Sequence, residues 1–302
     1  MKVLFRSVKE LVALAESQNK PISEIMIEQE MSITRRSRED IIAQMDNNLT
    51  VMEEAVERGL KGVESVSGLT GGDAVLIKKY MESGKSLSGD VILDAVSKAV
   101  ATNEVNAAMG TICATPTAGA AGIVPGTLFA VKNKLNPTRE QMINYLFTSG
   151  AFGFVVANNA SISGAAGGCQ AETGSAGSMA AAAIVEMAGG TPQQSAEGFS
   201  IVMKNMLGLV CDPVAGLVEV PCVKRNAMGA AKALVGADMA LAGVVSRIPT
   251  DEVIEAMHKI GQAMPSSLRE TAKGGLAATP TGKALEEKIF GGARVTSANP
   301  TS

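Results

Sequence analysis

The sequence predicts an all-α fold in which about ten helices form a single compact domain. Apolar residues recur at steps of three or four in several long segments, which is the spacing of a helix face. Two segments open with a capping box, the pattern that marks a helix start. Period-2 alternation never persists long enough to predict a sheet. The predicted domain covers residues 1–290, its site loops are rich in Gly, Thr and Pro, and residues 291–302 form a flexible C-terminal tail.

The N-terminal third contains three predicted helices. The first covers residues 7–16, and Ser37 caps the second with Asp40 at the third helical position. The third covers residues 90–109. In the second helix one apolar stripe is formed by Ile42, Met45, Leu49, Met52 and Val56.

Helix starts in the rest of the chain are marked by threonine. Residues 138–141 read Thr-Arg-Glu-Gln and open a helix that runs to about Asn158. Residues 191–194 read Thr-Pro-Gln-Gln and open a helix that is expected to end close to Cys211. Thr250 begins another, with acidic residues in its first turn. Further helices are predicted over residues 178–188 and 226–242.

Composition excludes several classes of protein. The net charge of -3 and the pI near 5.5 argue against a nucleic-acid-binding protein, which usually presents a basic face. The stretches 105–131 and 141–171 lack charge, but prolines, glycines and polar side chains interrupt them, so neither predicts a membrane span. The charged N-terminus is not typical of a signal peptide, so we expect a cytoplasmic protein with reduced thiols.

Two loops have the composition of binding segments. Residues 65–73 are dense in Gly and hydroxyl side chains, so their backbone amides can face a ligand or simply form a turn. Residues 111–126 are apolar and uncharged, yet Pro and Gly interrupt regular structure. Such a segment is either buried or lines a pocket.

Three of the four cysteines lie beside Gly or Pro in the second half of the chain: Cys169, Cys211 and Cys222. Their separations of 42 and 11 residues match neither a zinc ribbon nor a thioredoxin motif. Three thiolates in predicted loops that converge would suit a soft metal or an iron–sulfur cluster. Three ordinary buried thiols, or a four-cysteine zinc site completed by Cys113, are the alternatives.

Other candidate residues carry weaker signals. His258, the only histidine, lies on a predicted amphipathic helix, where a surface position is the simpler interpretation. Arg225 follows Cys222 closely and could bind a carboxylate through two parallel hydrogen bonds, or be a solvated cation. Cys113 is interpreted as a plain buried thiol.

Taken together, several segments closely resemble the α chain of the two-subunit, iron–sulfur-dependent L-serine dehydratases of bacteria. The resemblance spans nearly the whole chain, and the combination of segments is specific although each one alone is weak. The matching segments are 67–72 (Ser-Gly-Leu-Thr-Gly-Gly), 115–119 (Thr-Pro-Thr-Ala-Gly), 159–164 (Asn-Ala-Ser-Ile-Ser-Gly), 168–170 (Gly-Cys-Gln), 211–213 (Cys-Asp-Pro), 220–222 (Val-Pro-Cys), 269–271 (Arg-Glu-Thr) and 274–277 (Gly-Gly-Leu-Ala).

The resemblance implies an all-helical lyase that converts L-serine to pyruvate and ammonia without pyridoxal phosphate. It implies a [4Fe–4S] cluster held by Cys169, Cys211 and Cys222, whose remaining iron acts as Lewis acid on the substrate hydroxyl. The substrate-binding residues expected on this basis are Ser67, Gly68, Thr70, Gly71, Thr115, Thr117, Ala118, Gly119 and Arg225.

Two departures from the family pattern bear on partners and on the catalytic base. Single-chain relatives carry an extra N-terminal domain with a Ser-His-Thr segment, and nothing in this chain matches it. We therefore expect a separate β chain in a hetero-oligomer, and that chain is a possible source of the base. Some relatives end in a cysteine that caps the open iron, whereas residues 299–302 read Asn-Pro-Thr-Ser.

Two other functions compete with this lyase. A zinc-stabilised helical scaffold or partner-binding module would use the same thiols without catalysis. A pyridoxal phosphate lyase would need a Schiff-base lysine beside a phosphate-binding loop, and neither Lys224 nor Lys273 has that context.

Overall fold

A computed structural model of the chain describes residues 3–291, and helices dominate that range. Its thirteen α-helices are accompanied by no strand longer than an isolated bridge within residues 3–291, which confirms the all-α prediction. The helices are α1 (Val8–Gln18), α2 (Ile22–Thr34), α3 (Arg38–Leu60), α4 (Asp73–Glu82), α5 (Asp90–Ala107), α6 (Ile123–Leu135), α7 (Arg139–Asn159), α8 (Gly164–Gly167), α9 (Ser175–Met187), α10 (Pro192–Lys204), α11 (Cys222–Leu241), α12 (Thr250–Ala263) and α13 (Pro280–Phe290). A π-helical turn covers Gln170–Gly174, and 3-10 turns cover Ala118–Ala120, Val214–Gly216, Ser266–Leu268 and Gly275–Ala278.

Helices that begin with a local capping residue start where the sequence predicts. Ser37 Oγ accepts a hydrogen bond from the Asp40 amide at 3.1 Å at the start of α3. Thr138 and Thr191 each form both hydrogen bonds of a capping box, before α7 and α10. Such side chains satisfy amide groups that the first helical turn leaves unpaired.

Other elements differ from the sequence-based prediction. Helices α2, α4, α6, α8 and α13 were not predicted, and α6 begins at Ile123 inside the segment interpreted as a loop. Pro125 lies in the first turn of α6, where its missing amide hydrogen costs no helical bond. Helix α11 begins at Cys222 instead of residue 226, so the prediction that all three cysteines lie in loops is wrong for Cys222. Helix α10 ends at Lys204, well before Cys211.

Helix α9 lies at the centre of the core. Residues 175–185 are all buried, and the helix packs against α6, α7, α10 and α11. Its alanines at 180–183 let the neighbouring helices approach closely, because interaxial distance depends on the side chains at the contact. The π-helical turn runs directly into α9, so the segment that follows Cys169 is anchored in the most buried part of the fold.

Three carboxylates cap the first turns of helices that are distant in sequence. Asp251 accepts hydrogen bonds from two amides of α1 at 2.8 and 3.0 Å, and Glu186 accepts from two amides of α2 at 2.6 and 3.3 Å. Glu104 does the same for α4, at 2.7 and 3.4 Å. A negative charge at a helix N-terminus also interacts favourably with the helix dipole, so these contacts fasten the outer helices to the core.

No helix within residues 3–291 combines the length and apolar character needed to cross a lipid bilayer. The predicted C-terminal tail at 291–302 lies, apart from its first residue, outside the described residues.

Candidate active site

Cys169 lies at the end of a glycine-rich turn between α8 and the π-helical turn. Gly168 has φ of 77°, a left-handed conformation that favours glycine. The Cys169 side chain is buried, and its Sγ lies 2.9 Å from Thr173 Oγ1. Gln170 fixes the turn from the next position, because its side-chain amide donates to the Met257 carbonyl at 2.9 Å and accepts from the Gly208 amide at 2.9 Å.

Cys211 lies on an extended segment that pairs with residues 268–270. Its amide donates to the Leu268 carbonyl at 2.8 Å, and its carbonyl accepts from the Glu270 amide at 2.6 Å. The buried Asp212 accepts from the Leu276 amide at 2.7 Å. The family-like segments around 211 and around 269–277 are therefore joined by backbone contacts.

Cys222 is the first residue of α11. A thiolate at a helix N-terminus is favoured by the unpaired amides and by the helix dipole. Burial, with smaller contributions from the nearby Cys169 and Glu172, nevertheless raises the pKa of Cys222 to about 12, although Arg225 opposes the shift. The thiol is therefore protonated at neutral pH unless a cation is bound.

The three thiols share one electrostatic neighbourhood. Burial is the main cause that raises the pKa of Cys211, and the thiolates of Cys169 and Cys222 raise it further. Burial also raises the pKa of Cys169, against the attraction of Arg225. Mutual repulsion of this kind requires proximity, so positions far apart in sequence converge here. A bound metal centre would reverse these shifts, since coordination deprotonates a thiol.

The spacing of possible ligands does not match a single metal ion. Among residues 3–291 no group of three or more His, Cys, Asp or Glu side chains is arranged to hold one ion. A tetrahedral zinc site, with Zn–S bonds of about 2.3 Å, needs its sulfurs within about 4 Å of one another. The described geometry therefore gives no support to the zinc-scaffold alternative. In a polynuclear cluster each cysteine binds a different iron, so the three thiols need not converge on one ion.

Glu172 lies close to Thr117, Gly119 and Gly164, and it is a site residue that was not predicted from the sequence. Thr117 Oγ1 donates a hydrogen bond to its carboxylate. Burial raises the pKa of Glu172, and the charge of Glu270 raises it further, while the Thr117 bond and Arg225 oppose the shift. One signal was available in the sequence, because Glu172 is the only charged residue between Glu140 and Glu186.

Two glycines allow other segments to approach this carboxylate. A methyl group added at Gly119 would lie 2.7 Å from Glu172 Oε1. One added at Gly164 would lie 2.9 Å from Glu172 Oε2 and 2.7 Å from Cys211 Sγ. Since carbon atoms do not approach these atoms so closely, only glycine fits at either position without displacing a side chain. The Gly164 contacts also place the carboxylate beside one of the predicted ligands.

Asparagine side chains hold the Thr115–Gly119 segment in place. Asn226 Nδ2 donates to the Gly119 carbonyl at 2.7 Å, and Asn103 Nδ2 donates to the same oxygen at 3.2 Å. Of the residues predicted to bind substrate here, Thr117 and Gly119 therefore lie beside Glu172. Thr115 directs its hydroxyl to the Ala121 carbonyl at 3.4 Å, and Ala118 is exposed.

The other predicted substrate loop lines a neighbouring cleft of about 510 Å³. The residues lining that cleft include Gly68, Thr70 and Gly71 but no cysteine. Ser67 Oγ donates at 2.7 Å to Glu219, three residues before Cys222, and this bond links the loop to the thiols. The Thr70 hydroxyl is buried without a hydrogen-bond partner.

Arg225 and Arg269 differ in how much hydrogen-bonding capacity they have left. Arg225 Nη1 donates to the Val210 carbonyl at 2.8 Å, and Nη2 lies 2.8 Å from Asp212 Oδ1. Arg269 donates one long bond, 3.4 Å, to the Ala166 carbonyl, and its buried Nε has no partner. Arg225 was predicted to bind a carboxylate, yet Arg269, whose backbone pairs with Cys211, has more free donors.

A family model described as "Serine dehydratase alpha chain" matches residues 17–277. The chain belongs to this family. The matched span contains the three cysteines, Glu172 and Arg269, so the whole site described above lies within the family domain.

Relatives in the serine dehydratase alpha-chain family cover most of the chain. A probable L-serine dehydratase alpha chain of Bacillus subtilis is 74% identical over 300 residues, covering 98% of this chain and 100% of the relative. The L-serine dehydratase alpha chain of Peptoniphilus asaccharolyticus is 42% identical, covering 95% and 99%. L-serine dehydratase TdcG of Escherichia coli is 38% identical over 90% of this chain but only 61% of its own length.

The remaining candidates lie outside the group of thiols. The Cys113 Sγ donates to the Asn48 carbonyl at 3.5 Å, and burial raises the pKa of this thiol. The His258 ring lies 2.9 Å from the Gln262 amide nitrogen on the same helix, α12. Lys224 pairs with Asp73. None of these contacts joins the three-cysteine site.

Proposed function

We propose that this chain is the catalytic α chain of an L-serine dehydratase, which converts L-serine to pyruvate and ammonia. Relatives that cover nearly the full chain are named L-serine dehydratase alpha chains. The reaction removes water across the Cα–Cβ bond, and the enamine product then takes up water and releases ammonia. No electrons are transferred to or from the substrate, so no redox partner is required.

The observation that carries the proposal is the convergence of Cys169, Cys211 and Cys222. Each lies on a different element, and each has a raised pKa because of burial, to which nearby negative charge adds. Three neighbouring thiols could bind a soft metal centre together once coordination removes their protons. The donor set fits a [4Fe–4S] cluster, since thiolates are the soft ligands that bind iron in such clusters.

Cys169, Cys211 and Cys222 would hold the cluster. When bound, such a cluster supplies a Lewis acid for the substrate hydroxyl at the iron that no protein thiolate occupies. Because Gly164 has no side chain, its backbone lies close to Cys211 Sγ and to the carboxylates of Glu172 and Glu270. Cys169 and Cys211 are buried, whereas Cys222 is partly exposed.

The chain's own polar groups would orient the substrate. Arg269 has free donors beside Cys211 and is suited to bind the carboxylate. The loop with Thr117 and Gly119 contacts the Glu172 carboxylate. Holding both ends of a three-carbon amino acid fixes its hydroxyl in one position, which is how positioning lowers a reaction barrier.

We further propose that a separate β chain completes the enzyme and supplies the catalytic base. The chain covers only 61% of the length of TdcG, whereas it covers 100% and 99% of relatives named as alpha chains. The relatives thus occur in a longer form and in a form of this size.

Anaerobic purification with a β chain, followed by iron and sulfide analysis, tests the proposal. We expect iron and sulfide in equal amounts, visible charge-transfer absorption, and pyruvate formation from L-serine. Activity should decay in air, because an iron with an open position is easily lost on oxidation. Protein that binds iron but produces no pyruvate with its β chain would contradict the proposal, and one zinc per chain without visible absorption would favour the scaffold.

A further inference from the structure

We propose that Glu172 binds the α-ammonium group of the substrate and so makes the site specific for amino acids over carboxylic acids that lack an amine. This inference rests on the proposed function and adds to it a specificity-determining residue.

The position of the Glu172 carboxylate is set by three other elements. Thr117 donates a hydrogen bond to it, and a methyl group added at Gly119 or at Gly164 would lie within 3.0 Å of one of its oxygens. The carboxylate therefore lies between two family-like segments and beside Cys211. A side chain confined in this way needs no reorganisation to receive a ligand.

The hydrogen bonds of Glu172 leave room for a cation. A carboxylate can accept about four hydrogen bonds, and Thr117 is the partner that Glu172 has among the side chains of residues 3–291. An ammonium group carries three donors and can meet the remaining acceptor positions. The contact to Gly164 places Oε2 on the side of Cys211, where the substrate is expected.

The charges around Glu172 also favour a cation. The negative charge of Glu270 repels that of Glu172. Both carboxylates lie near Gly164, because a methyl group added there would be 3.3 Å from Glu270 Oε2. Arg225 is the cation that acts on Glu172, but its guanidinium is already bound to Asp212 and to the Val210 carbonyl. An ammonium group between Glu172 and Glu270 would relieve this repulsion.

A role in recognition is distinguishable from a role in proton transfer. If Glu172 binds the ammonium group, its loss weakens the binding of every amine-containing ligand, including ligands that do not react. If Glu172 removes the α-proton instead, its loss lowers kcat and leaves the binding of unreactive ligands unchanged.

The test compares two unreactive competitors on the holoenzyme with its β chain. L-alanine and propionate share a carboxylate and differ by the ammonium group. Competitive inhibition constants are measured for both in the wild-type enzyme and in Glu172→Gln. We expect the preference for L-alanine over propionate to fall roughly ten- to hundredfold in the variant, the effect of losing a hydrogen bond to a charged group. KM for L-serine should rise, with a smaller change in kcat.

Three controls make the result decisive. Glu255→Gln changes an exposed carboxylate on α12 and should keep the wild-type preference. Iron and sulfide content shows whether Glu172→Gln retains its cluster. If that variant assembles poorly, Gly119→Ala displaces the carboxylate while keeping its charge, and it should reduce the preference for L-alanine as well.

Two failures are distinguishable. A wild-type enzyme that forms no pyruvate would overturn the proposed function. An active wild type whose Glu172→Gln variant keeps its preference for L-alanine, with only kcat reduced, would overturn the ammonium-binding role alone.

Discussion

Arg225 and Asp212 form an ion pair that encloses Cys211. The Arg225 Nη2 lies 2.8 Å from Asp212 Oδ1, and Nη1 donates to the carbonyl of Val210 at 2.8 Å, so the guanidinium contacts the residues on both sides of the cysteine. The side chains are 16% and 4% exposed, which places the pair inside the protein. A cation here also acts on the thiolates of Cys169 and Cys222. The pair is therefore suited to position Cys211 as a ligand.

Replacing Arg225 should cost stability before any metal is bound. Arg225→Ala leaves the buried Asp212 charge unpaired, and we expect the free energy of unfolding of the metal-free chain to fall by about 3 kcal/mol. Urea unfolding under anaerobic conditions measures this change. Lys259→Ala breaks an exposed ion pair with Glu255 and should cost far less stability. Equal effects of the two substitutions would show that the Arg225 pair is not important for stability.

Single serine substitutions test the ligand set. Cys169→Ser, Cys211→Ser and Cys222→Ser should each lose the visible absorption, the bound iron and sulfide, and the activity, because an alcohol is a poor ligand for iron in place of a thiolate. Cys113→Ser should keep all three, since the Cys113 thiol contacts the Asn48 carbonyl instead of the site. A Cys113→Ser variant that folds but is colourless would show that the ligand assignment is wrong.

Local signals explain which helices could be predicted. Helices α7 and α10 begin with capping boxes whose two partners are three residues apart, so the sequence displays them. Helix α2 follows Pro21 and has no side-chain cap of its own, because its first amides bind Glu186, more than 160 residues away. Helix α6 follows Gly122, whose amide binds Asn226. Caps supplied by distant residues leave no local pattern.

The residues of the site likewise divide into those with a local sequence signal and those without one. The cysteines were visible because thiols beside Gly and Pro are unusual, and the structure brings Cys169, Cys211 and Cys222 into one neighbourhood. The role of Glu172 depends on Thr117 and on the close approach of two glycines, which no local window contains. The ion pair between Arg225 and Asp212 likewise could not be predicted from a local pattern. Because this pair occupies Arg225, Arg269 is the better candidate for binding a carboxylate.

Loss of Arg269 should weaken substrate binding. Its Nε is buried without a partner, which is unfavourable in the free protein and is relieved when a carboxylate binds. We expect Arg269→Gln to raise KM for L-serine roughly ten- to hundredfold while the cluster is retained. Steady-state kinetics and iron analysis measure both. Lys273→Gln removes an exposed positive charge nearby in sequence and serves as the control. A KM unchanged by Arg269→Gln would refute the assignment.

The raised pKa of Cys222 predicts slow alkylation of the folded, metal-free chain. With a pKa of about 12, only about one thiol in ten thousand is a thiolate at pH 8. Labelling by iodoacetamide, followed by mass spectrometry, should accelerate about tenfold per pH unit between pH 7 and pH 9. In urea the same thiol has an ordinary pKa near 8.5 and should react far faster. Rapid labelling of folded protein at pH 7 would contradict the electrostatic description of the site.

Glu104 should make stability depend on pH away from the metal ligands. Burial raises its pKa above the ordinary value of 4.5, against the two amide bonds from α4 that lower it. The folded state therefore holds this proton to a higher pH than the unfolded chain does. Its stabilising contribution is complete below pH 4.5 and is lost as pH rises through the folded pKa. Relative to Glu104→Gln, the wild type should thus lose free energy of unfolding as pH rises, by at most about 1.4 kcal/mol per pH unit. Urea unfolding between pH 4 and pH 7 measures the difference.

Glu255→Gln should show the opposite sign, because Lys259 lowers the pKa of Glu255. A pH-independent difference for Glu104→Gln would mean that burial does not perturb this carboxyl in solution.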